Sequence, residues 1–296
     1  MTPGQHAGEA ILLRPARALL GWLADDQAFR LLASGQDNPT PLPDWRSAID
    51  AARAAVEARG ELPDSSGVLD EAPPELQEHE EMLRAAWPAV FAEGWTLRMV
   101  DLTRLCAMQP VVYTDYASQR ASFIDSDDQD PRALAEITLP IVAASPLRTS
   151  FDEKRNAWVI VSANRNLRLV GRFTAPVPGA PVGGSPEGTP GFGFVVTVVP
   201  SHMQVVEFEN RYYLRDGYHR ALGALMTGTT RVPALVARFA TVEQLAVAGG
   251  LPQSAYTGAR PPLMTDYLSD DVAVTVQLPS AMRMVLVQGM ELDFIP

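Results

Sequence analysis

Apolar positions recur at helical spacing through residues 1–95 and at alternating spacing in several later stretches, so the chain predicts a helical region followed by a mixed α/β one. Leu19, Leu20, Leu23, Phe29, Leu31 and Leu32 predict a first helix, ended by the loop Asn38-Pro39-Thr40-Pro41-Leu42-Pro43. Asp44 reads as the N-cap of a second, with Trp45, Ile49, Ala52 and Val56 on one face and Gly60 at its stop. A third follows Pro73-Pro74, carries Leu76, Leu83, Trp87, Val90 and Phe91, and must kink or restart at Pro88, which has no N–H to donate.

The period changes at Leu97. Leu97–Leu102 predicts a short strand, broken at Gln109-Pro110. Trp158–Val161 and Leu167–Val170, around Asn164-Arg165-Asn166, predict a hairpin. Pro176–Gly193 is rich in glycine and proline without phosphate-loop spacing and reads as a surface loop or lid. Phe194–Val199 and Gln204–Phe208 are expected strands, and Glu209-Asn210 turns into Tyr212-Tyr213-Leu214. A helix then runs to Gly228, Val232–Val236 forms a strand, and Thr241 caps a helix over Val242–Val247. Val272, Val274, Val276 and Leu278 alternate, and with Met284–Val287 they predict a terminal β-hairpin. The expected class is α+β, divided into a helical region 1–95, a mixed domain 96–248 with an insertion around 111–193, and an extension 249–296.

Charge narrows the partners. A net charge of −11 on 296 residues repels nucleic acid and anionic membrane surfaces at long range. Locally the sign reverses, since Arg211–Arg238 holds five arginines against Asp216. Glu61–Glu93 carries nine acidic residues against Arg84, and reads as solvated helix surface rather than a metal site. Asp125, Asp127, Asp128 and Asp130 lack the glycine and closing glutamate of a calcium loop. With Cys106 as the single cysteine no internal disulfide can form, and a reducing cytoplasmic setting is expected. No apolar run reaches the ~18 residues of a membrane span, and the first residues lack the basic start of a signal peptide.

The densest chemistry lies in Arg211-Tyr212-Tyr213-Leu214-Arg215-Asp216-Gly217-Tyr218-His219-Arg220-Ala221, a strand, tight turn and helix start. A helix N-terminus there would present unpaired N–H groups and its positive dipole end, so that backbone and Arg220 together could hold a phosphate. Asp216 is the carboxylate placed to bind Mg²⁺ or accept a proton, and His219 can serve as acid or base. Each also has a plainer role, as turn residue or surface cap. Arg211 and Arg215 are second-rank candidates, because strand alternation sends one of them away.

This order, with Gly228 and Val232-Pro233-Ala234-Leu235-Val236 after it, resembles the ParB/sulfiredoxin superfamily, in which a Gly-x-x-Arg or Asp-Gly-His-His-Arg type of turn precedes a helix. The likeness covers residues 205–236, with a weaker echo at 97–110, where Met99-Val100-Asp101-Leu102 precedes Gln109-Pro110. It implies a compact α/β domain binding nucleotide phosphates, with Gly217, Tyr218, His219 and Arg220 around the phosphate. The implied cofactor is CTP or ATP/ADP, with Mg²⁺. Tyr218 stands where sulfiredoxins carry their catalytic cysteine, Val111 replaces the arginine that often follows Gln-Pro, and no helix-turn-helix reader follows Val236. Neither sulfiredoxin chemistry nor DNA partitioning is therefore expected.

Other scaffolds are excluded. Lys154 is the only lysine and follows Glu153, so no Walker-type phosphate loop exists. Gly-x-Ser-x-Gly, His-Glu-x-x-His, kinase and dinucleotide signatures are also missing. Two readings remain. One is a phosphate- or nucleotide-binding protein, as phosphotransferase or nucleotide hydrolase. The other is a non-catalytic protein-interaction module whose helical N-terminal region and terminal hairpin meet a partner.

Overall fold

A computed structural model describes residues 12–34, 42–62, 65–125, 130–142, 146–164, 166–176, 190–245, 249–280 and 282–289. Most of the Asn38–Pro43 loop, Asp127 and Asp128, the Arg165 turn, most of the glycine- and proline-rich stretch, and the end of the helix expected after Thr241 lie outside the described residues.

The strands are β1 (Leu13–Ala18), β2 (Leu69–Glu71), β3 (Thr96–Asp101), β4 (Cys106–Ala107), β5 (Val111–Tyr113), β6 (Arg148–Asp152), β7 (Ala157–Ser162), β8 (Leu167–Pro176), β9 (Pro190–Val198), β10 (Gln204–Phe208), β11 (Arg211–Asp216), β12 (Arg231–Arg238), β13 (Val274–Pro279) and β14 (Arg283–Gln288). The helices are α1 (Asp25–Ala33), α2 (Leu42–Ala58), α3 (Gln77–Ala86), α4 (Pro88–Ala92), α5 (Thr114–Ala121), α6 (Pro131–Thr138), α7 (Tyr218–Met226) and α8 (Gln253–Thr257). This is the expected α+β class. None of the described helices is long and apolar enough to cross a membrane.

Backbone contacts divide the chain into two compact units, residues 1–141 with 201–280, and residues 142–200 with 281–296. These boundaries fall elsewhere than the expected divisions at 95 and 248.

The first unit is built on a six-stranded sheet in the order β2-β3-β12-β10-β11-β4. Its central strand β12 is buried continuously from Val232 to Ala237, as a strand covered on both faces must be. Pro233 is tolerated there because the β10 ladder begins only at Leu235, so at residue 233 the strand has β3 alone as its partner. Ile49, Ala52 and Val56 of α2 are buried, as their spacing predicts. The third helix does restart at Pro88, with Trp87 between α3 and α4.

Region 1–95 is not wholly helical. Residues 13–18 form β1, which pairs with β13 and β5, and the first helix begins only at Asp25. The pattern hid β1 because its buried positions, Ala16 and Ala18, are small, and its partners are far away in sequence.

The second unit contains a three-stranded sheet, β14-β7-β6, and a two-stranded ribbon, β8-β9. Ile160, Leu167 and Val198 form its buried centre. Both expected hairpins here are corrected. β7 pairs with β6 and β14 rather than with β8, and β13 and β14 pair with β1 and β7 rather than with each other. Alternation marks a strand and its faces, but partner choice follows the burial that each edge gains.

Candidate functional site

Strand β11 delivers the chain to Asp216, and α7 starts at Tyr218, so the turn is a single residue, Gly217. Gly217 lies in the left-handed region, with φ +97° and ψ 17°. A β-carbon there would also approach Met203 Cα at 3.0 Å. Both conditions require glycine, and they let strand and helix meet at a sharp corner.

Asp216 accepts a hydrogen bond from the Gly217 N–H at 2.6 Å, which pins the turn. Dehydration by its neighbours raises its carboxyl above the ordinary value, while the Gly217 N–H, Arg220 and Arg215 pull it down. The residue itself stays exposed, so this dehydration is partial.

Tyr218 faces the other way. Its ring is buried, its hydroxyl donates to the Leu214 carbonyl at 2.6 Å, and it accepts from the Met108 and Gln109 N–H groups at 2.7 and 3.3 Å. Tyr267 donates to the Gln109 carbonyl at 2.5 Å, so two buried tyrosines fix the Gln109-Pro110 segment beside the helix start. A role for Tyr218 toward a ligand is thereby confined to its backbone. The half-buried His219 stacks on Tyr113 at 6.2 Å between centroids and meets Tyr116 edge-on at 5.4 Å.

Arg220 is the anomaly of the turn. The residue is only 9 % exposed, and its Nε and Nη1 have no hydrogen-bond partner among the described residues. Neither Arg220 nor its neighbour Arg120 stands within ion-pair distance of a carboxylate among the described residues. Burial, aided by Arg120, lowers the Arg220 pKa to about 10, with Asp216 acting in the opposite direction.

Arg120 is brought close by α5. A β-carbon on Gly223 of α7 would lie 2.6 Å from the Ala117 carbonyl oxygen and 3.1 Å from Arg120 Cβ, so glycine lets the two helices cross in contact. His202 borders the same region. Its Nε2 lies 3.2 Å from the Pro140 carbonyl, and burial depresses its pKa to about 4, so it is neutral at pH 7. Two crowded guanidinium groups, a helix N-terminus and a neutral imidazole form a surrounding in which an added anion is stabilised.

Of the lesser candidates, Arg215 lies over Phe239 and donates to the Gln244 carbonyl. Arg211 stands at the opposite end of β11, about 17 Å away at strand rise. Arg120 and His202 were not legible as site residues, since one lies in a polar helix and the other before a strand, each far from residue 220 in sequence. No group of three or more His, Cys, Asp or Glu among the described residues could share a metal ion, so Asp216 alone offers a cation one carboxylate. A cavity of about 330 Å³ lies at the Arg211 end of β11, not beside Arg220. Comparison of the chain with family models, with curated proteins and with solved structures gave no match.

Proposed function

We propose that the Asp216–Arg220 corner is a phosphate site, and that its ligand is a nucleotide or phosphorylated small molecule bound as in the ParB/sulfiredoxin-like superfamily. The observation that carries this reading is Arg220, nine-tenths buried with two nitrogens unpaired, at the third residue of a nine-residue helix. A buried cation offset only by Asp216, which is beyond ion-pair distance, is costly, and a polyanion lowers the cost. The local order supports the reading too, with β10, β11, α7 and β12 consecutive and β12 returning parallel to β10.

In this reading phosphate oxygens accept from Arg220 and from the first N–H groups of α7. Asp216 would be the residue to hold Mg²⁺ there, and the ion would supply neutralisation of phosphate charge. His219 and Asp216 are then the candidate groups for proton transfer, which would make the protein a phosphotransferase or a nucleotide hydrolase.

The test is a melting-temperature screen with CTP, ATP, ADP and inorganic phosphate, each with Mg²⁺. One of them should stabilise the wild type, by about 2.7 kcal/mol at a hundredfold excess over Kd, and Arg220→Met should abolish the effect. Equal melting across the panel would refute it and favour a non-catalytic interaction module. A specific observation supports that second reading, namely the exposed Trp158, Phe173, Phe192 and Phe194 of the second unit.

A further inference from the structure

The cavity at the start of β11 is lined by Leu62 and Val68 ahead of β2, by Arg104 and Cys106 around β4, by the Glu209-Asn210 turn between β10 and β11, and by Ala259 after α8. Its volume, about 330 Å³, is that of a small-molecule site. Two arginines, Arg104 and Arg211, line it, and both are held by backbone carbonyls. Arg211 Nη1 donates to the Thr257 and Gly258 carbonyls at 3.0 and 2.6 Å, at the C-terminal end of α8, and Arg104 Nη1 donates to the Ser66 carbonyl.

A guanidinium has five N–H donors, so each anchored group has others to give. Neither stands within ion-pair distance of a carboxylate among the described residues, although Glu61 and Glu209 line the same cavity. Both glutamates are exposed, whereas Val68 and Cys106, also on the lining, are buried. The lining therefore combines held cationic donors and buried apolar surface with two exposed glutamates.

We propose that this cavity binds a small organic monocarboxylate, its head shared by Arg104 and Arg211 and its hydrocarbon part against Leu62 and Val68. Guanidinium forks match a carboxylate in bidentate geometry, and anchoring lowers the entropy lost on binding. Glu61 and Glu209 repel ligands of higher charge, so nucleotides and inorganic phosphate are disfavoured here. The inference stands apart from the Arg220 site, which lies at the other end of β11.

The experiment is calorimetric titration of the full chain with benzoate and with hexanoate, at constant ionic strength, with inorganic phosphate as the contrasting anion. Saturable binding of at least one carboxylate is expected, weakened about tenfold or more by Arg104→Met and unchanged by Arg220→Met. Arg211→Met also frees the end of α8, so Arg104→Met is the deciding variant. The proposal is overturned if neither carboxylate binds the folded wild type saturably, if Arg104→Met binds equally well, or if Arg220→Met abolishes the binding.

Discussion

Arg220→Met is expected to raise the stability of the ligand-free protein while abolishing its response to phosphate. The magnitude follows from the environment of the guanidinium. Burial pushes its pKa down from the ordinary arginine range to about 10, which corresponds to about 3 kcal/mol against the charged form. Because the folded-state value is the lower one, the unfolded chain holds more protons from about pH 10 up to the ordinary arginine range, so stability rises with pH across that window and the full cost is present at neutral pH. Methionine keeps an unbranched apolar stem and removes both unpaired nitrogens. Allowing for imperfect repacking, the ligand-free variant should gain about 1–3 kcal/mol, or about 2–4 °C per kcal/mol for a unit of this size. Scanning calorimetry at pH 7.5, with and without inorganic phosphate, reads both effects. A ligand-free variant less stable than wild type by 1 kcal/mol or more would show that the guanidinium supports the fold, and the argument from its unpaired state would fail.

Three further outcomes are expected. Tyr218→Phe should lower stability by about 2–4 kcal/mol in urea denaturation at unchanged m, since one lost hydroxyl strands the Met108 N–H and the Leu214 carbonyl in the core; a loss under 0.5 kcal/mol would contradict that role. Gly217→Ala should cost about 2 kcal/mol or more, because it meets both a φ of +97° and a 3.0 Å approach to Met203, and it should also blunt any phosphate-induced stabilisation; a neutral effect would mean that the corner relaxes freely. His202, neutral in the fold with its pKa near 4 against an ordinary 6.5, should contribute up to about 3 kcal/mol that is present above pH 6.5 and lost as pH falls towards 4. Urea midpoints across that range should fall less steeply in His202→Gln, and identical slopes would refute the assignment.

The corner was legible because its determinants are local. Asp-Gly before an apolar-periodic run, a strand before it and Gly228 after it each sit within a few residues of the feature they specify, and Gly228 does take a positive φ at the end of α7. The state of Arg220 was not legible. Whether a guanidinium finds a carboxylate depends on which elements pack over it, and those are α5 and the approach to β10, about a hundred and about eighteen residues upstream. Tyr218 shows the same limit. Its hydroxyl closes three hydrogen bonds to the backbone of a different strand segment and of its own hairpin, a fact that no local spacing encodes. Strand identity was legible in β13 and β14, but pairing was not, because each finds its partner more than a hundred residues away.

That last pairing bears on synthesis. The ribosome makes β7 and β1 early, yet the strands that flank them, β14 and β13, emerge more than a hundred residues later. Until then the nascent chain carries two sheets with open edges, one bordered by Trp158, so the interval before those strands emerge is when this protein most needs a chaperone.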